Sequence, residues 1–184
     1  MFETDGRHSS IYLYEPPMSI RQYVEPIDEI IDTGIDTVSY VVGDCAVLLY
    51  DTKVGEIWGD NHDLLDHEVW YKAAFNVRMM IDSGYDPLQV VLEHTHARGM
   101  KFIPHLLLNM VHSEPSRVTS GRVATYNTQH PEWIVGPEPD HPEAVDDNPN
   151  RMSYSVPEIR ENRLSVIQEL VTDYQSDGIE LNFN

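Results

Sequence analysis

The chain has 184 residues, 41% of them hydrophobic, and a formal net charge of −19 from 31 acidic against 12 basic side chains. That length allows one domain with a sizeable core. The acidic balance argues against nucleic acid and anionic membranes as partners, because phosphate binding needs a basic surface. No apolar run approaches the roughly 20 residues that span a bilayer, and the single cysteine, Cys45, leaves no intrachain disulfide framework. The first seven residues lack the basic start and apolar core of a signal peptide.

In chain order, the first strand-like run is Ile11-Tyr12-Leu13-Tyr14, ended by Glu15-Pro16-Pro17. Ser19 with Gln22 three residues on is a capping-box pattern for a helix carrying Val24, Ile27, Ile30 and Ile31 on one face. Pro26 is expected to kink or split it, and Gly34 to stop it. A second strand is read from Ile35 to Val42. The span from Asp44 to Asp66 reads as an insertion with a short extra strand in Ala46–Tyr50.

Helices follow over Glu68–Asp82, closed by Ser83-Gly84, and from Asp86-Pro87 to Arg98, ending on Gly99. The third strand is Lys101 to about Leu107. Residues 110–154, with many Pro, His, Asp and Asn, show no sustained periodicity and read as a second insertion. Ser155-Val156-Pro157-Glu158 forms another capping-box pattern, opening a helix with Ile159, Leu164, Ile167, Leu170, Val171 and Tyr174 on its buried face. The last strand lies in Asp177–Asn184.

Strands alternating with helices predict an α/β fold with parallel strands. Four β/α units match the first half of a (β/α)8 TIM barrel, of which a complete one needs about 250 residues. The rival is a small doubly wound sheet, disfavoured because no Gly-rich phosphate turn follows the first strand. The chain is therefore expected to be one partial barrel domain, 1–184, with insertions at about 44–66 and 110–154. Its first and fourth strands would leave open edges prone to self-association.

Barrel chemistry sits at the C-terminal ends of the strands. In the last strand Glu180, Asn182 and Asn184 share one face, and Ile179, Leu181 and Phe183 the other. In the third, His105 and Asn109 share a face with Ile103 and Leu107, which brings them beside Glu180. His, Asn and Glu are suited to holding sugar hydroxyls and moving protons. Glu180 is the candidate catalytic acid or base; His105, Asn109, Asn182 and Asn184 are the candidate substrate-binding residues. Glycoside hydrolysis uses two carboxylates, and the second is expected from an insertion or from residues beyond 184.

Tyr126, Trp133, Tyr154 and Trp58 are either sugar-stacking platforms or staples for the long loops. His94-Thr95-His96, Asp60–Asp63, His67, His112, His130 and His141 lack a repeated metal-ligand spacing, so no metal site is assigned. No P-loop, GxSxG or dinucleotide turn occurs, and no cofactor is expected.

Leu92-Glu93-His94-Thr95-His96-Ala97-Arg98-Gly99-Met100-Lys101-Phe102-Ile103-Pro104-His105 resembles the helix, ARG and third-strand step of bacterial glycosyl-hydrolase-like barrels. Tyr154 to Leu164, containing Pro157-Glu158-Ile159-Arg160, followed by Tyr174 and Asp177-Gly178-Ile179-Glu180-Leu181, is similar to the fourth unit of the family-10-like glycosyl hydrolases. The resemblance implies a TIM barrel acting on a polysaccharide or glycoside by hydrolysis of O-glycosidic bonds. The family strand usually ends Leu-Asp, and Asn182 stands at the matching position. Asn is no acid, base or nucleophile at neutral pH, so a non-catalytic carbohydrate-binding barrel is the first alternative, and a metal-dependent hydrolase the second.

Overall fold

The computed structural model describes residues 1–44, 47–61, 67–108, 123–135 and 151–183. Its strands are β1 (Phe2–Thr4), β2 (Thr37–Asp44), β3 (Val47–Leu48), β4 (Glu56–Ile57), β5 (Lys101–Leu107) and β6 (Glu180–Asn182). The helices are α1 (Ile20–Asp28), α2 (Glu68–Asp82), α3 (Pro87–Ala97), α4 (Thr125–Gln129) and α5 (Pro157–Thr172). β1, β2, β5 and β6 lie side by side and run parallel. This is the strand order of successive β/α units in a barrel. β3 turns back antiparallel on the end of β2, and β4 pairs with β3.

Local chemistry accounts for most boundaries. Ser19 and Gln22 close the reciprocal capping box of α1: the Gln22 amide donates to Ser19 Oγ at 3.3 Å, and the Ser19 amide to Gln22 Oε1 at 2.8 Å. Pro26 sits inside α1, and the helix ends two residues later, at Asp28. Asp86 Oδ1 accepts the Leu88 amide at 2.9 Å with Pro87 in the first turn of α3. The second expected capping box does not form. Val156 is the N-cap of α5 and offers no side-chain acceptor, while the Ser155 hydroxyl pairs with that of Ser153 at 2.7 Å.

The first strand is also a correction. It is Phe2–Thr4, and the apolar run Ile11–Tyr14 lies in the connection behind it, after a π-helical turn over Arg7–Ile11. Asn76 of α2, fully buried, holds that connection: its Nδ2 donates to the carbonyls of Ile11 at 3.2 Å and Tyr14 at 2.9 Å, and its Oδ1 accepts the Met18 amide at 2.9 Å.

Side chains alternate across the sheet. Val38 and Tyr40 of β2, with Phe102 and Leu106 of β5, are buried in one cluster with Val91 and Leu92 of α3 and Val166 and Leu170 of α5. This helix-covered face supplies the core, each such side chain contributing about 1.5–3 kcal/mol. At Gly43 the pairing of β2 with β5 shifts by one residue, and β3 approaches so closely that a Cβ would lie 2.5 Å from the Val47 carbonyl oxygen. Only glycine fits that turn-back.

The segments between strands are tied down by buried polar groups. Glu169 of α5 accepts from Tyr50 Oη at 2.8 Å, Thr52 Oγ1 at 2.7 Å and the Lys53 amide at 2.6 Å. Burial first, and then the Glu169 charge, raises the Tyr50 phenol well above its ordinary range. Glu56 of β4 accepts the Thr125 amide at 2.8 Å and the Asn61 Nδ2 at 2.7 Å, which joins the two connections. Arg163 of α5 donates to the Leu108 carbonyl at 3.2 Å and to Tyr126 Oη at 2.5 Å, linking the end of β5 to α4.

Candidate active site

The face of the sheet opposite the helices carries the polar side chains. Register places His105 of β5 beside Glu180 of β6, and Leu107 beside Asn182; neighbours in a parallel pair share a face. From the other side, Ser39 of β2 lies opposite Glu3 of β1. The Ser39 hydroxyl donates to Glu180 Oε2 at 2.5 Å. A bond from a hydroxyl to a carboxylate at this length is strong and fixes the position of the accepting oxygen.

His105 lies beneath the two glutamates. Its Nδ1 is 3.4 Å from Glu3 Oε1 and 3.8 Å from Glu180 Oε2. The ring is 1% exposed, and neither nitrogen has a hydrogen-bond partner. The side chains of Glu180 and Glu3 are 36% and 60% exposed. The carboxylates thus face solvent while the imidazole does not.

At the end of β2, Asp44 is fully buried, and Arg7 Nη1 donates to its Oδ2 at 2.8 Å and its Oδ1 at 3.0 Å. Burial works against the Arg7 charge, but Asp44, Tyr12 and Asp5 together outweigh it and raise the guanidinium pKa further. The Arg7 guanidinium also stands 6.0 Å from the Trp58 ring centre. Asp5 accepts the Arg7 and His8 amides, each at 3.0 Å, and pairs with the His8 ring. Burial pushes the Asp5 carboxyl up, yet the His8 contacts and Arg7 hold it below its ordinary value.

Of the residues singled out in the sequence, Glu180, His105 and Asn182 are brought to one face, whereas Asn109 and Asn184 lie outside the described residues. Ser39, Glu3 and the Arg7–Asp44 pair join this region without a signal in the sequence. Their placement depends on strand register, for which the isolated sequence carries no local signal.

The aromatic candidates divide. Trp58 is fully buried against Tyr12 and Trp70, so it is core and not a sugar platform. Tyr126, Trp133 and Tyr154 are half-buried; Tyr126 and Trp133 pack on the small cluster of Met152 and Ile159, and Trp133 stacks on His130 at 3.8 Å.

The histidines also divide. His94 pairs with Asp28 at 2.8 Å and His96 with Asp177 at 2.9 Å. Asp177 also accepts the Phe102 amide, near the start of β5, at 2.8 Å, so this His–Asp pair lies at the end of the barrel away from the strand C-termini. Among the described residues, no three His, Cys, Asp or Glu side chains converge as metal ligands; His62, Asp63, His112 and His141 lie outside them.

Parallel strands, helices on one face and a carboxylate-centred polar face opposite define a partial (β/α)8 barrel. A maltogenic α-amylase from Thermotoga neapolitana, AmyB, superposes with a TM-score of 0.51 at 16% identity, covering 98% of this chain and 38% of that one. The family model described as glycosyl hydrolase-like 10 matches residues 9–183, and the chain belongs to that family. It is 24% identical over 169 residues to glycosyl hydrolase DigH of Escherichia coli K12, covering 86% of this chain and 33% of the relative. To glycosyl hydrolase YngK of Bacillus subtilis it is also 24% identical over 169 residues, covering 88% and 27%. The chain thus spans a third or less of the curated relatives it matches.

Proposed function

We propose that this chain carries part of the active site of a glycoside hydrolase-like barrel acting on O-glycosidic bonds of a polysaccharide or glycoside. The observation that carries the reading is the Ser39–Glu180 contact on the solvent-facing side of the parallel strands, with Asn182 one inward position further along β6. Glu180 is the reacting carboxylate. Asn182 binds a sugar hydroxyl through its amide, which both donates and accepts. His105, being buried, acts through Glu180 from beneath rather than by touching the sugar. Asn109 and Asn184, which lie outside the described residues, are included among the proposed sugar contacts on the alternation of the sequence alone.

Family membership and the amylase-like fold agree with a carbohydrate ligand. The test is reducing-end release from a panel of α- and β-linked oligosaccharides, measured beside binding of the same sugars by calorimetry. Turnover supports the reading. Binding without turnover by the complete protein would select the second reading, a carbohydrate-binding barrel, which Asn182 favours by standing where the family resemblance implies an acid. In that case Asn182→Asp should leave binding in place and introduce measurable hydrolysis.

A further inference from the structure

The site reading leaves one requirement open: a second carboxylate across the scissile bond. We infer that Glu3 of β1 is that group, acting as general acid opposite an ionised Glu180; this rests on the glycosidase reading above.

Three observations converge on it. Glu3 pairs with Ser39, and Ser39 donates to Glu180, so both glutamates belong to the same face. Both approach one atom, His105 Nδ1, at 3.4 and 3.8 Å. The two oxygens nearest Nδ1 are therefore at most about 7 Å apart, which keeps the carboxyl groups within the spacings that glycosidase pairs use. Both are open to solvent above a buried imidazole, as a pair flanking a bound sugar must be. The neighbouring acids are engaged elsewhere: Asp44 is fully buried on Arg7, and Asp5 is held by His8 and Arg7.

The division of labour follows from the contacts. Glu180 accepts a short hydrogen bond from the Ser39 hydroxyl, which fixes one of its oxygens and leaves the other to act as nucleophile. Glu3 has no such donor from Ser39 and projects further into solvent.

In the retaining scheme, a Glu180 oxygen bonds to C1 as the C1–O bond to the leaving group breaks, and the proton on Glu3 passes to the departing oxygen. Water then bonds to C1 through its oxygen and gives a proton to Glu3, while the bond between C1 and Glu180 breaks and restores the carboxylate.

The test uses the complete protein and pairs of substrates sharing one sugar, an oligosaccharide and its 2,4-dinitrophenyl glycoside. The dinitrophenolate leaves without protonation. Glu3→Gln should lower kcat/KM on the oligosaccharide by about 10²–10⁴-fold, the usual worth of a general acid, and change the dinitrophenyl glycoside far less. Glu3→Asp, which keeps an acid, should fall between. Glu180→Ala should lose both substrates and regain turnover of the dinitrophenyl glycoside with azide, giving the glycosyl azide of inverted configuration. If Glu180→Ala is inactive while Glu3→Gln retains wild-type rates on both substrates, the role of Glu3 is overturned and the glycosidase reading stands. No release from either substrate class by the wild-type protein would overturn both.

Discussion

Ser39 and Glu180 are 141 residues apart in the chain and 2.5 Å apart in the fold. Their contact crosses β5, since β2 and β6 both pair with that strand and not with each other. A serine that reaches over the intervening strand fixes one carboxylate oxygen and leaves the rest of the group facing solvent.

Ser39→Ala removes that donor from a fully buried position. Activity on any glycan turned over should fall mainly in kcat, by about 10-fold or more, as expected when a short charge-assisted bond of about 1.5–3 kcal/mol is lost. Steady-state kinetics check this. A change confined to KM would mean that Ser39 serves sugar binding and not Glu180.

Arg7→Met should destabilise the fold by about 3–5 kcal/mol, because Asp44 would remain buried and charged without the Arg7 guanidinium. Arg7→Met combined with Asp44→Leu should recover a large part of the loss. Urea denaturation of the two single variants and the double variant measures the coupling; simple additivity would contradict it.

The Asp177 carboxyl is held below its ordinary value of 3.8, first by the Phe102 amide and then by His96. A carboxyl with a depressed folded pKa adds stability above its unfolded pKa of about 3.9, and that contribution disappears as pH falls through the folded value. Asp177→Asn should therefore reduce the drop in melting temperature below about pH 4. Thermal melts between pH 7 and pH 3 test the sign; an unchanged acid limb would assign it to other carboxylates.

The 184-residue chain on its own should self-associate. β6 pairs with β5 alone among the described residues, and Leu181 and Phe183 beside that free edge are 38% and 66% exposed, as are Leu164 and Val171 of α5 at 63% and 51%. Leu181→Lys should shift the sedimentation distribution toward monomer. A monodisperse wild-type monomer would contradict this expectation.

Much of this fold is legible in the residues because its elements announce themselves locally. The run Lys101–Leu107 is mainly apolar, Asp86-Pro87 opens a helix, and Gly84 and Gly99 follow helix ends with φ of 84° and 74°. β1 is hidden because three residues, Phe2-Glu3-Thr4, show no period, while the stronger apolar signal of Ile11–Tyr14 is consumed by packing and by Asn76. The site divides in the same way. Glu180 and His105 stand out on amphipathic strands, but Glu3, Ser39 and Arg7 become neighbours of the site only through register and a turn.

Whether Glu180 is the reacting carboxylate is decided by the turnover number of Glu180→Gln on a glycan that the wild-type complete protein hydrolyses, measured beside binding of the same glycan. Retained binding is expected with kcat reduced at least about 10²-fold, the lower bound for losing a proton-transfer or nucleophilic carboxylate. Wild-type kcat in Glu180→Gln would remove Glu180 from the chemistry and contradict that role.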